Sequence, residues 1–200
     1  MQYKCVVVAL EGLDGVGKST TAAVLLRQLL DQGFSAVTHH YEADFFPEAF
    51  LKERERPDPN VKYFLQLAAA TRMATHLTDY SSSVVAICDR YVDSAIAYFA
   101  ALPDEMRRVP AVYVELPAPT HAVLLECTRE TRLRRLYSRA KAPSKRKLYT
   151  LTDFGDRLFA DLSVMRRWER INNEDLSPEM TAARVIDIIA PSLVKLRSLR

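Results

Sequence analysis

A glycine-rich string near the start of the chain has the residue types and spacing of a phosphate-binding loop. Gly12–Ser19 matches the pattern G-x-x-x-x-G-K-[ST]. The apolar run Cys5–Leu10 before it predicts a buried strand, and apolar residues at helical spacing predict a helix over Lys18–Asp31. In this context backbone N–H groups and the helix N-terminus face phosphate oxygens, while Lys18 reaches the β and γ phosphates and the Ser19 hydroxyl coordinates Mg²⁺. The string therefore predicts binding of ATP with Mg²⁺.

The residues of this loop predicted to contact the nucleotide share its glycine-rich backbone or its first helical turn. They are Gly12, Asp14, Gly15, Val16, Gly17, Lys18, Ser19 and Thr20.

A second chemical signal follows the apolar run Val84–Cys88, which predicts another strand. Asp89 comes directly after it, where a carboxylate can orient Mg²⁺ through water or accept a hydroxyl proton. Arg90 can clamp a phosphate through its fork of N–H donors. The sequence lacks the guanine-reading string N-K-x-D of GTPases, and an acid–base pair stands where an ATPase motor would carry paired carboxylates. A phosphotransferase is predicted, with Lys18, Asp89 and Arg90 as catalytic residues and Ser19 and Asp89 as metal ligands.

Strands and helices alternate along the chain in the order that produces a parallel sheet. Beyond the elements above, strands are predicted over Phe34–Thr38 and Ala122–Glu126, and helices over Val61–Leu77, Ser94–Ala101, Glu130–Arg139, Asp156–Asn172 and from Pro178, with Tyr41–Asn60 as a loop or broken helix. Right-handed crossovers then give an α/β fold, a three-layer α/β/α sandwich with a central parallel sheet. Because ligands bind at the carboxyl ends of such strands, the phosphate loop and Asp89–Tyr91 should share one rim.

Composition sets the broad class of the protein. The chain has 200 residues, 48% of them hydrophobic, which suits a single domain over residues 1–200. Its net charge of +3 is unevenly placed, because the stretch Arg129–Lys147 is heavily basic while the rest is mixed, and an expected mobile lid at about 138–150 overlaps this stretch. Basic charge alone would also suit DNA or RNA, but the phosphate loop favours a small-molecule substrate over a nucleic acid polymer. No run approaches the roughly 20 apolar residues of a membrane span, and no leader precedes the first strand, so we expect a cytoplasmic protein.

Two strings together resemble the thymidylate kinase family. They are Glu11–Thr20 and Asp89–Tyr98, and the order of elements agrees to about residue 190. The resemblance implies transfer of the ATP γ-phosphate to a nucleoside monophosphate, a requirement for Mg²⁺, and a homodimer. It also implies that Asp14 contacts the sugar hydroxyl of the acceptor, that Arg90 holds its phosphate and that Tyr98 packs beside its sugar.

The arginine-rich segment after Glu126 fits the same resemblance. Arg135 and Arg139 are four residues apart and therefore lie on one face of the predicted helix. In similar kinases such arginines cover ATP. Since Gly15 follows the loop aspartate, the resemblance implies that the arginine acting on the transferred phosphoryl group comes from the lid, as Arg139 or Arg146.

The acceptor side departs from the family pattern. The family carries an arginine-glutamate-proline-glycine-glycine string after the second strand, where this chain has Thr38-His39-His40-Tyr41-Glu42. The family also stacks a phenylalanine on thymine four residues before a helix arginine; alignment of that arginine with Arg72 puts Ala68 at the stacking position, with Phe64 one turn earlier. The residues predicted to bind the acceptor are Asp14, His40, Glu42, Phe64, Arg72, Arg90, Ser94 and Tyr98.

Three functions remain open at this point. The first is a nucleoside monophosphate kinase with an altered base pocket, for a dTMP-like acceptor. The second is a kinase of the same fold that phosphorylates a hydroxyl of a nucleoside or another small metabolite, which His39, His40 and Glu42 would contact. The third, a nucleotide-binding regulator without turnover, is disfavoured because a pure binding module does not require the positioned groups of Lys18 and Asp89.

Overall fold

The computed structural model describes residues 2–46, 48–49, 58–112, 114–138 and 153–198. Five strands alternate with helices along the chain. In chain order the elements are β1 (Val6–Glu11), α1 (Lys18–Asp31), β2 (Ser35–His39), α2 (Tyr41–Phe45), α3 (Pro59–Leu77), β3 (Val84–Asp89), α4 (Val92–Ala100), a 3₁₀ turn (Asp104–Met106), β4 (His121–Glu126), α5 (Arg129–Tyr137), α6 (Asp153–Val164), β5 (Glu169–Asn172) and α7 (Pro178–Ser198).

The strands form one parallel sheet in the order β2-β3-β1-β4-β5. Every residue of β1 is buried, because helices cover both faces of the sheet. Val7 and Ala9 face one apolar core, while Val8 and Leu10 face another. The three-layer α/β/α fold predicted from the alternation of elements is therefore confirmed.

The two cores are built by different helices. On one face α3, α4 and α6 pack against the sheet and bury large side chains such as Tyr63 and Phe99. On the other face α1 and α7 pack together, with Leu25 of α1 and Ile189 of α7 fully buried. No helix in the described part of the chain is long and apolar enough to cross a membrane.

One predicted element is wrong in its second half. The helix expected over Asp156–Asn172 is helix α6, which ends at Val164, followed by strand β5. Strand β5 has four residues at the edge of the sheet, and only Ile171 among them is buried. A single buried apolar residue gives no alternating pattern, so the sequence carries little signal for this strand.

The loop or broken helix expected over Tyr41–Asn60 begins with the short helix α2. His40 caps it, because its Nδ1 accepts a hydrogen bond from the backbone N–H of Ala43 at 3.3 Å. The predicted lid at about 138–150 lies almost entirely outside the described residues, as do Arg139 and Arg146.

Candidate active site

The phosphate loop connects β1 to α1 and depends on three glycines. Gly12, Gly15 and Gly17 have φ angles of 138°, 86° and 108°, in the region that L side chains rarely adopt. A Cβ atom on Gly12 would lie 2.5 Å from the Leu125 carbonyl oxygen, and one on Gly15 would lie 2.8 Å from that of Arg132. The loop can therefore curl only because glycine occupies these positions.

Lys18 begins helix α1 and is buried within this loop. Its Nζ donates hydrogen bonds to the carbonyl oxygens of Gly12 at 2.8 Å and Leu13 at 3.0 Å. Burial lowers the pKa of Lys18 to about 8, with a further contribution from the Arg90 charge, while nearby carboxylates oppose the shift. The ammonium group is thus held at the centre of the loop, where the phosphates of ATP are expected.

A cavity of about 140 Å³ lies at the carboxyl ends of β1, β2 and β3. It brings together residues that are far apart in sequence, which confirms that the strand ends share one rim. Its lining consists of Asp14, Gly15, Gly17, Lys18, Ser19, His40, Asp89, Arg90 and Leu136.

Asp89 reaches this cavity from the end of β3, which pairs with β1 so that Asp89 lies opposite Leu10. Its side chain is buried, and Oδ1 has no hydrogen-bond partner within the described ranges. A buried carboxylate oxygen without a partner is costly unless a ligand or water completes its shell. This atom is therefore suited to a cation or to a reacting hydroxyl.

The residues present fit Mg²⁺. Ser19 and Asp89 line the same cavity, and both offer oxygen atoms. The part of the chain with assigned positions holds no cluster of three or more histidine, cysteine or carboxylate groups able to bind a metal alone. Mg²⁺ typically keeps several waters and binds through one or two protein oxygens together with substrate phosphates, so a sparse donor set is what it requires.

Arg90 stands at the junction between β3 and α4 in a left-handed conformation, with φ of 79°. Its backbone N–H donates to the Leu10 carbonyl oxygen at 3.0 Å, which ties it to the end of β1. Its guanidinium forms an ion pair with Asp14 and donates from Nη1 to Ser94 Oγ at 2.8 Å. The predicted phosphate clamp is therefore held in place by two other predicted acceptor-binding residues.

Glu11, the last residue of β1, has no role predicted from the sequence. Its carboxylate is fully buried and accepts hydrogen bonds from the backbone N–H groups of Tyr91 at 2.7 Å and Ser94 at 3.3 Å. Burial raises the pKa of Glu11, while the charge of Arg90 opposes that rise. The signal that could have found it is a charged residue at the end of an otherwise apolar strand.

Arg135 of α5 lies behind the phosphate loop. Its Nη1 donates to the Val16 carbonyl oxygen at 3.1 Å, and its Nη2 donates to the carbonyl oxygens of Asn173 at 2.8 Å and Glu174 at 3.3 Å. Asn173, which also had no predicted role, donates from Nδ2 to Val16 O at 2.8 Å. These bonds support the loop from outside the cavity, and contact between Arg135 and ATP stays a prediction.

The predicted acceptor residues of α2 and α3 are more dispersed. His40 lines the cavity, whereas Glu42 accepts a hydrogen bond from Gln66 Nε2 at 2.5 Å. Arg72 donates to the Phe45 carbonyl oxygen at 3.4 Å, and its guanidinium lies 5.3 Å from the centre of the Phe46 ring. The structure therefore brings His40 to the phosphate site, but it places Glu42 and Arg72 in contacts that join α2 to α3.

The remaining aromatic candidates lie along α3 and α4. Phe64 is 43% exposed, and its ring centre lies 5.7 Å from that of Tyr63. Tyr98 of α4 packs edge-to-face on Phe154 at 5.2 Å, with Lys62 Nζ 4.3 Å above its ring centre. Neither Phe64 nor Tyr98 lines the phosphate cavity among the residues that the structure describes.

His39 belongs to a cluster of rings at the end of β2. Its Nε2 lies 2.9 Å from the Tyr80 hydroxyl, and its ring centre is 5.4 Å from that of His76. Burial lowers the pKa of His39, the nearby His76 lowers it further, and Asp44, whose Oδ2 lies 3.7 Å from Nδ1, opposes the shift. This environment favours a neutral, structural histidine over a direct contact with an anionic acceptor.

Comparisons with known proteins agree with this geometry. A family model described as Thymidylate kinase matches residues 10–180. The probable thymidylate kinase of Pyrococcus horikoshii is 28% identical over 193 residues, which cover 91% of this chain and 89% of that protein. The probable thymidylate kinase of Pyrococcus abyssi is 26% identical over 200 residues, which cover 94% and 98% of the two chains.

Solved structures show the same fold. The thymidylate kinase of Candida albicans superposes with a TM-score of 0.70 at 18% identity, covering 96% of this chain and 93% of that one. A deoxyadenosine kinase from M. mycoides superposes with a TM-score of 0.61 at 13% identity, covering 93% of this chain and 100% of that one. Because the family model matches residues 10–180, which make up most of this chain, the chain belongs to the thymidylate kinase family and is an ATP-dependent kinase.

Proposed function

We propose that this kinase transfers the γ-phosphoryl group of ATP to a dTMP-like nucleoside monophosphate through a pocket whose base-binding side is altered. The observation that carries the proposal is one cavity shared by Lys18, Ser19, Asp89 and Arg90. The first three residues suit the triphosphate and its cation, and the arginine suits a second phosphate. A site for two phosphate groups is what a nucleoside monophosphate kinase needs.

On the donor side, phosphate oxygens would replace the loop carbonyls as partners of the Lys18 ammonium group. Ser19 and Asp89 would hold Mg²⁺, which when bound neutralises charge on the β and γ phosphates. The curled loop supplies N–H donors fixed before ATP binds, so little reorganisation accompanies the reaction. These groups position the phosphoryl group and stabilise its charge during transfer.

On the acceptor side, Arg90 would bind the phosphate of the nucleoside monophosphate. Its present partner, Asp14, is about one-third exposed and can exchange that contact for a sugar hydroxyl. Tyr98 would pack beside the sugar. The family resemblance supplies these roles, and the ion pair between Arg90 and Asp14 supports them because it places both side chains at the cavity.

The lid would complete the site. Arg139 and Arg146 fall outside the described residues, and we propose one of them as the arginine that stabilises the transferred phosphoryl group. A positive group closing over the site would also exclude water and limit hydrolysis of ATP. Arg135 remains a candidate for contact with ATP from the base of the same segment.

The proposal of an altered base pocket rests on Ala68. This residue is exposed on α3, and the family resemblance, with Arg72 aligned to the family's helix arginine, puts it where the family carries a stacking phenylalanine. Phe64 and Arg72 lie on the same helix, and we propose that they take part in binding the base. A methyl group in place of a phenyl ring leaves space for a base larger than thymine.

A second candidate function is phosphorylation of a hydroxyl on a nucleoside or another small metabolite. It is favoured by His40, which lines the same cavity as Lys18 and could contact an uncharged acceptor. In that case Arg90 would not hold an acceptor phosphate. A regulator without turnover would bind ADP and Mg²⁺ but transfer phosphate to no acceptor.

The test is an assay of ATP consumption over nucleoside monophosphates, nucleosides and small alcohols, with Lys18→Ala as the inactive control. We expect a nucleoside monophosphate to stimulate turnover at least about a hundredfold over that control, the scale of losing one charge-stabilising group. Stimulation by nucleosides alone would establish the second function instead. If no acceptor raises turnover above the control while ADP still binds, the catalytic proposal is wrong.

A further inference from the structure

Glu11 is a fully buried carboxylate that the chemistry of phosphate transfer does not by itself require. It ends β1 immediately before the phosphate loop, but its side chain turns toward the junction between β3 and α4. There its Oε1 accepts two backbone N–H groups, from Tyr91 and Ser94. A buried carboxylate is retained at such a position only if its hydrogen bonds compensate for lost hydration.

The two N–H groups that donate to Glu11 belong to Tyr91, the N-cap of α4, and Ser94, the third residue of its first turn. Such N–H groups have no partner within the helix itself, so a carboxylate there both satisfies them and interacts favourably with the helix dipole. Arg90, directly before this turn, is the only non-glycine residue with positive φ in the described ranges. A residue in this conformation persists only where its surroundings fix it, and the Glu11 carboxylate is one of the groups that do so.

Ser94 connects Glu11 to the guanidinium of Arg90 through two hydrogen bonds. Its hydroxyl donates to Glu11 Oε2 at 2.5 Å and accepts from Arg90 Nη1 at 2.8 Å. The other end of the guanidinium donates to Asp14. Hydrogen bonds therefore run in sequence from Glu11 through Ser94 and Arg90 to Asp14.

The two ends of this sequence differ in accessibility. Glu11 and Ser94 are buried, whereas Asp14 is partly exposed at the cavity. An incoming phosphate can therefore replace Asp14 at Arg90, but it cannot reach Glu11. Of these two contacts of Arg90, the one to Ser94 is buried and permanent, and the one to Asp14 is exchangeable.

From this arrangement we propose that Glu11 and Ser94 are positioning residues that set the guanidinium of Arg90 for the acceptor phosphate. The inference rests on the proposed function, since it takes Arg90 as the phosphate clamp. It also reassigns Ser94, which acts through Arg90 instead of touching the acceptor. Burial raises the pKa of Glu11, and the nearby Asp93 adds to that rise, while the charge of Arg90 and the hydrogen bonds from Ser94 and Tyr91 oppose it.

The experiment compares Glu11→Gln and Ser94→Ala with the unmodified enzyme in steady-state kinetics. Gln keeps an oxygen for the two N–H groups but replaces the oxygen that accepts from Ser94 with an NH2 donor, and Ala removes only the bridging hydroxyl. We expect the KM for the nucleoside monophosphate to rise about tenfold in each, the size expected for one charge-assisted hydrogen bond. The KM for ATP should stay within about threefold, because the phosphate loop keeps its own hydrogen bonds.

A double-mutant cycle with Arg90→Met separates positioning from general support of the fold. If Glu11 and Ser94 act through Arg90, their substitutions should change the acceptor KM by less than about twofold in the Arg90→Met background. Tyr91→Phe is the matched control, since it removes a buried hydroxyl that bonds to the Pro117 carbonyl oxygen at 2.8 Å, next to Arg90 but outside its contacts. This control should lower the unfolding midpoint without raising the acceptor KM.

Two results overturn the inference. One is an unchanged acceptor KM in Ser94→Ala, a variant whose small side chain is compatible with helix α4. The other is an equal rise in acceptor KM with Arg90 present and absent. Failure of the proposed function is distinct, because the unmodified enzyme would then show no turnover with any nucleoside monophosphate.

Discussion

The donor and acceptor halves of the site are built in different ways. Around the phosphate loop, Lys18 and Asn173 bond to loop carbonyls, and the loop is fixed before any ligand arrives. On the acceptor side, Arg90 is equally well anchored, but Glu42 and Arg72 contact other parts of α2 and α3. The donor residues are thus gathered at the cavity, whereas Glu42 and Arg72 of the predicted acceptor side contact other parts of the protein.

This difference has a physical reason. Phosphate groups have the same shape and charge in every nucleotide, so a fixed set of N–H donors suits all of them. The rest of the acceptor varies, and its recognition requires side chains that can be exchanged without disturbing the sheet. Substitutions in the two halves should therefore have effects of very different size.

The largest effect is expected from Gly12→Ala, which would disrupt the phosphate loop in the donor half of the site. The new methyl group would lie 2.5 Å from a backbone oxygen of β4 at a φ of 138°, so the loop must leave its curled conformation. We expect the dissociation constant for ATP to rise at least about a hundredfold, as for loss of several charge-assisted hydrogen bonds. Isothermal titration calorimetry with ATP and Mg²⁺ measures it.

Gly33→Ala is the matched control for this substitution. Gly33 also has positive φ, 82°, but it follows α1 at the end remote from the loop. The control should cost about 1 kcal/mol of folding stability through backbone strain and leave ATP affinity unchanged. If both variants weaken ATP binding equally, the loop geometry is not what holds the nucleotide.

A smaller effect is expected from a change in pH, because the pH determines whether Lys18 is charged. Its pKa of about 8 lies below the ordinary value of 10.5, so the free enzyme loses this charge as the pH rises through about 8. Bound phosphates favour the charged form, and linkage then requires the ATP dissociation constant to rise by up to about tenfold per pH unit above that point. Burial of the Lys18 charge lowers the free energy of unfolding. This loss of stability is complete below pH 8 and becomes smaller as the pH rises toward 10.5, because the folded protein releases the proton before the unfolded chain does.

Calorimetric titrations between pH 7 and 9.5 test this dependence. Lys18→Arg provides the comparison, because a guanidinium stays charged over that range and should give a flat profile above pH 8. A parallel rise in the dissociation constant of both proteins would assign the titration to another group.

The smallest effect is expected from Ala68→Phe, which changes the proposed base-binding side of the acceptor half. If Ala68 marks an altered base pocket, a phenyl ring there should lower the KM for dTMP about threefold to tenfold through stacking. Because Ala68 is exposed, folding stability should change by no more than about 0.5 kcal/mol. Acceptor kinetics with dTMP measure the effect, and Ala68→Leu shows whether an aromatic ring is required.

Much of the donor half could be predicted from the sequence. The phosphate loop is indicated directly by glycines at defined spacing, a lysine and a serine, because the chemistry depends on those residue types in that order. Asp89 could be placed beside them, since a long apolar strand ends at it and parallel strands end at one rim. The family of the chain followed from the same strings and is confirmed.

The supporting residues could not be predicted in the same way. Glu11 and Asn173 act through contacts 83 and 157 residues away along the chain, which no local pattern reports. Strand β5, which leads directly into Asn173, was hidden because its four residues bury only Ile171. His39 and His40 look alike in sequence, but the first faces a cluster of rings and the second faces the cavity.

The pairing of Leu10 with Asp89 has a consequence for how this enzyme could change over time. Strands β1 and β3 are neighbours in the sheet, although α1, β2, α2 and α3 lie between them in the chain. The separation of Lys18 from Asp89 is therefore set by the ladder of hydrogen bonds in the sheet. Helices α2 and α3 can therefore accumulate substitutions that alter acceptor choice while the reactive centre keeps its dimensions.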